Sequence, residues 1–212
     1  MNSNEGHIKF EKSGRFFTYG NADKAEHILI AVHGYGQLAA FFIRKFHVLD
    51  PNKYFVVCPE GLHRFYKAGT SGRVGASWMT KEDRLTDIAD YISFLDALML
   101  DFESRYSFKT KTLLGFSQGG ATASRWIAYG KHQFDIFMLW SAVFPPDMDP
   151  AAKLKFTTLK NYFIIGTTDE YTTIEQAEEY HKALNNEHIQ FEFVKFEGNH
   201  SINSELLIKL LQ

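Results

Sequence analysis

The chain has 212 residues, 45% of them apolar, with 23 basic against 25 acidic side chains and a net charge of −2. That length gives one domain with a sizeable core rather than two. The near-balanced charge argues against nucleic acid or an anionic membrane surface as partner. A single cysteine, Cys58, excludes an internal disulfide.

In chain order, the first ten residues show no basic stretch followed by an apolar run, so no signal peptide is expected, and no segment has the length of a membrane span. "HIKFEKSGRFFTYGN" reads as two short strands around Lys12–Gly14. Near-continuous apolar runs follow at 27–34, 53–61, 111–117, 134–142, 161–167 and 189–198. Such runs suit parallel strands buried on both faces. Between them, helical spacing marks about 38–46, 81–106, 118–129, 174–185 and 201–211. In the longest, Leu85, Ile88, Ile92, Leu95, Leu98, Met99 and Phe102 recur at steps of three and four. The segment 62–80 reads as a loop. Strand–helix alternation predicts an α/β fold over 1–212, a doubly wound and mostly parallel sheet with helices on both faces and no large cap. Ligands in such sheets bind beyond the carboxyl ends of the strands.

The informative stretch is "LLGFSQGGATASRW". Gly115-Phe116-Ser117-Gln118-Gly119 places a serine on a sharp strand-to-helix turn, where its hydroxyl stands clear of the sheet and bulky neighbours would block the turn. A serine hydroxyl needs a base to take its proton and an acid to orient that base. In this fold their order is serine, acid, histidine. Asp169 follows the run "NYFIIG", and His200 follows "IQFEFVKFEG". Asp147 and Asp149, in "PPDMDP", compete for the role of acid. Glu170 would point elsewhere from the same turn as Asp169. Of the nine histidines, His181 and His188 suit surface or packing roles, while His7, His27, His47, His63 and His132 lie out of chain order. No histidine or acidic cluster has metal-ligand spacing, so no metal is expected.

An oxyanion needs two preorganised N–H donors. Gln118 supplies one, at a helix N-terminus. Tyr35, in the glycine-flanked loop "VHGYGQ", supplies the other, with His33 bracing that loop from inside. In 62–80, Phe65, Tyr66 and Trp78 are expected to line the substrate pocket, with Trp78 beside Tyr35 as an acyl wall. Arg64, Lys67 or Arg73 would attract an anionic part of the substrate.

"HGYG", "GFSQGG", "GTTDE" and "GNHS" resemble the small carboxylesterase, lysophospholipase and acyl-protein thioesterase family of the α/β-hydrolase superfamily. The resemblance spans nearly the whole chain and implies a Ser117–Asp169–His200 triad, an oxyanion hole from Tyr35 and Gln118, no cofactor, and ester or thioester substrates. Two departures bear on the substrate: Gln37 stands where that family often has Asp, and Glu170, Tyr171 and Thr172 follow the acid where small apolar residues are usual. The serine at the elbow separates the chain from dienelactone-hydrolase-like lactonases, which carry Cys there.

The expected activity is a serine carboxylesterase with an acyl-enzyme intermediate, acting on short-to-medium acyl esters. The alternatives are a lysophospholipase or acyl-thioesterase, and a hydrolase-fold protein that binds ligand without turnover. The expected setting is cytoplasmic. The expected partner is a small-molecule ester, with no nucleic acid and no stable membrane insertion; a homodimer is compatible with this reading.

Overall fold

The six apolar runs become the strands of one sheet. The computed structural model describes residues 4–186 and 189–212. β1 (Phe16–Tyr19), β2 (His27–Val32), β3 (Tyr54–Pro59), β6 (Thr110–Phe116), β7 (Ile136–Trp140), β8 (Lys160–Gly166) and β9 (Glu192–Phe196) lie in the order β1-β3-β2-β6-β7-β8-β9. All pairings are parallel except that of β1 with β3.

Both faces of the sheet are covered. Along β6, Leu113 points into one core and Leu114 into the other, as a two-residue period requires. The first core holds Ile28, Ile30, Phe137 and Phe163 under α2 (Arg84–Arg105), α3 (Gln118–Tyr129) and α5 (Ile174–Asn186). The second holds Leu29, Met138 and Ile164 under α1 (Ala39–Phe42), a 3-10 turn (Ile43–Phe46) and α6 (Ser204–Leu211). A short α4 (Pro150–Lys153) follows β7. It is capped by the Asp149 carboxylate, which accepts from the Ala151 N–H, a common use of Asp at a helix start. None of these helices is long and apolar enough to cross a membrane, among the described residues.

Three expectations change. Only the second of the two N-terminal strands forms: residues 7–15 have no strand partner, and Phe10 is exposed. Leu85 lies off the apolar stripe of α2 and is exposed, whereas Tyr91 joins Leu95, Leu98, Met99 and Phe102 in the core. The segment expected as a loop is a hairpin, β4 (His63–Ala68) and β5 (Ser71–Ser77). Its first strand is mostly exposed and so lacks the apolar alternation by which a strand is read. His188 lies outside the described residues.

From β2 the chain turns to β3 on one side, and from β6 to β7 on the other. The crevice between the carboxyl ends of β2 and β6 is therefore the topological switch point, where an open α/β sheet offers room for a ligand.

Candidate active site

Ser117 closes β6 and opens α3 with φ +54° and ψ −124°, a backbone region that L-residues avoid. Neighbouring contacts hold it there: its N–H donates to the Trp140 carbonyl and its carbonyl accepts from the Gly120 N–H. The glycines are explained by contact. A Cβ on Gly115 would stand 2.6 Å from the Gly119 carbonyl oxygen, and one on Gly119 would intrude on the Val32 carbonyl. Strand and helix approach each other backbone to backbone, so side chains are excluded.

Asp169 and His200 come from the ends of β8 and β9. The imidazole Nδ1 donates to Asp169 Oδ2 at 2.8 Å, and the carboxylate is 1% exposed. The other carboxylate oxygen accepts from the N–H groups of Tyr171 and Thr172. The acid is thus fixed by its own turn and aimed at the ring. The imidazole lies between Phe116, with centroids 4.9 Å apart, and Tyr171, edge-on at 4.6 Å. Phe116 precedes Ser117, so the ring is brought to the elbow. The Glu170 carboxylate accepts from the His200 N–H at 3.0 Å and so steadies the same loop. Tyr171 and Glu170 are contributions that the sequence reading did not assign.

The competing acids face elsewhere. Asp147 is clamped by Arg125 and Arg84, each at 2.8 Å. Partial burial alone would raise its pKa, but the two guanidinium groups hold it below the ordinary range. Asp149 caps α4.

The Tyr35 loop is braced from several sides. His33 is fully buried. Its Nδ1 donates to the Gly34 carbonyl, its Nε2 accepts from the Gly61 N–H, and its carbonyl accepts from the Trp78 indole at 2.9 Å. Burial lowers its pKa, keeping the ring neutral. Gln37, the departure from the family pattern, closes the turn by accepting from the Gly34 N–H at 3.1 Å. Gly36 and Gln37 exchange backbone bonds with Ala76 of the hairpin. These bonds leave the Tyr35 and Gln118 N–H groups without a partner among the described residues. Gly34 is packed so closely against Ser117 that a Cβ there would stand 3.0 Å from the serine Cβ. Gln118 also ties α3 to the hairpin, with its Oε1 accepting from the Trp78 N–H and its Nε2 donating to the Met79 carbonyl.

The pocket residues divide. Phe65 stacks on Tyr35 with centroids 5.2 Å apart, and Phe65 and Tyr66 line a cavity of about 460 Å³. Trp78 has no exposed surface and packs against His33 and Tyr91, not Tyr35. It buttresses the loop from beneath and presents no wall to an acyl chain, a correction the sequence hides because "SGRVGASWM" looks like surface.

One side-chain trio brings metal-ligand atoms together among the described residues, the exposed Glu5, His7 and Asp83. His7 already bonds Asp83 at 2.9 Å.

A family model described as Serine hydrolase (FSH1) matches residues 22–208. The chain belongs to this FSH1 serine hydrolase family. No curated protein sequence matches it significantly. Among solved structures it resembles Zea mays acyl-protein thioesterase 2 (TM-score 0.72, 15% identity, covering 93% of this chain and 96% of that one). It also resembles esterase PE8 (0.68, 20%, 94% and 97%) and the Bacillus cereus carboxylesterase (0.64, 15%, 93% and 91%). At these identities the likeness shows the α/β-hydrolase fold, which the FSH1 match extends to a serine hydrolase.

Proposed function

We propose that this FSH1-family chain is a carboxylic-ester hydrolase with Ser117, His200 and Asp169 as its triad. The observation that carries the reading is the 2.8 Å Asp169–His200 pair, its carboxylate buried and its imidazole packed on Phe116, the residue before a serine of positive φ. Ser117 Oγ attacks the acyl carbonyl while His200 Nε2 takes its proton. The tetrahedral oxyanion lies against the Tyr35 and Gln118 N–H groups, and the start of α3 adds its dipole. His200 then protonates the leaving alcohol, and water, deprotonated by the same ring, releases the acid. Asp169 stabilises the imidazolium and fixes its tautomer.

Tyr35, on the loop packed against Ser117, and Tyr171, edge-on to the imidazole, are 61% and 79% exposed. So open a site offers little wall to a long chain, and each methylene contributes about 0.8 kcal/mol only while it is covered. Acyl groups of short to medium length therefore suit it, and oxygen esters over thioesters are the first class to assay.

A fluorophosphonate probe should label the wild-type protein at Ser117. Ser117→Ala should abolish labelling and cut kcat on p-nitrophenyl butyrate about a million-fold. Near wild-type turnover in clean Ser117→Ala protein would end this reading, and turnover without labelling would point to another nucleophile.

A further inference from the structure

The hairpin that closes on the Tyr35 loop carries His63, Arg64, Lys67 and Arg73, and residues 62–80 hold no acidic side chain, although the chain as a whole is slightly acidic. Most of them lie on the exposed strand β4, and His63 is already paired with Asp87 at 3.0 Å. Lys67 lies over the Tyr35 loop, its Nζ 3.4 Å from where a Cβ on Gly36 would stand. It has no ion-pair partner among the described residues. Arg64 shares Glu60 Oε1 with Arg15, at 3.3 Å and 2.6 Å. The second oxygen of Glu60, a carboxylate only 1% exposed, is already taken by the Ala39 N–H. Two guanidinium groups against one fully engaged carboxylate leave one positive charge over, and both arginine side chains stay nearly half exposed.

Arg15 and Arg64 line the cavity of about 460 Å³, whose other lining residues are Leu38, Phe65, Tyr66 and Val74. This is the composition of a small-ligand site, an apolar body with a few placed polar groups. It also joins the reacting centre through one short loop. Gly34 packs against Ser117 at one end, Tyr35 stacks on Phe65, and Leu38 lines the cavity at the other end.

Resting on the esterase reading, we propose that this cavity holds the non-reacting end of the substrate, and that this end is a singly charged carboxylate on a short apolar chain. The cavity lining itself, which excludes Lys67, carries a single excess positive charge and so matches a carboxylate better than a doubly charged phosphate. Lys67, beside the loop, draws the same charge in. The four Cα–Cα steps from Gly34 to Leu38 reach at most about 14 Å when extended, and the Gln37 N–H bond to the Gly34 carbonyl folds them shorter. About four to eight carbons between ester and carboxylate bridge that distance. The substrate class is the monoester of a medium-chain dicarboxylic acid.

The test compares kcat/KM for mono-p-nitrophenyl adipate with that for p-nitrophenyl hexanoate, which differs in lacking the terminal charge. The wild-type ratio should favour the adipate about tenfold at low salt and shrink towards one at about 1 M NaCl, where the Debye length is about 3 Å. Lys67→Met and Arg64→Met should each lower the ratio about three- to fivefold, whereas Lys53→Met, before β3 at the opposite end of the strands, should leave it. A wild-type ratio at or below one, or a ratio indifferent to both hairpin variants, overturns the proposal. Should neither ester turn over, titration of Ser117→Ala with monomethyl adipate decides the matter separately. Millimolar or tighter binding that Arg64→Met weakens keeps the subsite while the hydrolase reading falls; no binding by about 10 mM removes the subsite.

Discussion

Asp169 and Asp147 make a natural experiment within one chain. Each is an aspartate in the loop after a parallel strand, and each is tied to a basic side chain at 2.8 Å. Asp169 is almost fully buried and meets a histidine, which can give up its proton. Asp147 is more than a third exposed and meets two arginines, which cannot. A carboxylate that orients an imidazole can serve proton transfer. One neutralised by guanidinium groups can only hold elements together, here α3, the start of α2 and the loop after β7. The partner, not the position after a strand, separates the two roles.

The contrast breaks most readily by substitution. Asp169→Asn should lower kcat about ten-thousand-fold by favouring the wrong imidazole tautomer, while Asp147→Asn should leave kcat within about threefold. Steady-state rates on one activated ester decide it, and a dead Asp147→Asn enzyme with an active Asp169→Asn one would reverse the assignment.

Stability should sort the pair the other way. Asp147→Ala leaves the Arg125 guanidinium, only 6% exposed, without its carboxylate, at a cost of about 2 kcal/mol. Thermal unfolding should then fall by about 4–8 °C for a domain of this size. An unchanged Tm would mean that the clamp is ornamental.

The smallest effect concerns His33, a histidine outside both roles. Its folded pKa lies below the ordinary 6.5 because the ring is buried. The unfolded chain therefore binds a proton that the native protein refuses. The stability contributed by the neutral ring is complete above about pH 6.5 and declines as pH falls from there to the folded value. Urea midpoints measured from pH 7.5 to 5 should drop for the wild type and drop less for His33→Asn; parallel curves would count against it.

Much of this was legible in the sequence for a physical reason: the elbow and the buried strands are local. Gly115, Ser117 and Gly119 sit together in the chain because the contacts they relieve lie within one turn, and β6 reads as apolar because both its faces are covered. Asp169 and His200 could be placed because each directly follows such a strand. What stayed hidden depends on distant partners. Glu60 is buried only because Arg15 and Arg64 converge on it. Trp78 is buried because His33 and Tyr91, distant in the chain, pack against it. The exposed strand β4 holds its place through its partner β5, whose end bonds to the Tyr35 loop, so its own residues carry no period to read.

The crossing of the chain between β2 and β6 has a consequence for how the protein comes into being. Gly34 and Ser117 touch, yet about eighty residues separate them, and that loop must close before β2 and β6 can pair. The acid and histidine arrive later still, from the last two strands. During synthesis β2 and β3 emerge with their apolar edges waiting for a neighbour not yet made, a condition that slows folding and invites aggregation. On the proposed triad, Ser117 gains its base and acid only when the last two strands dock, so a nascent chain would stay chemically silent until its C-terminal third is in place.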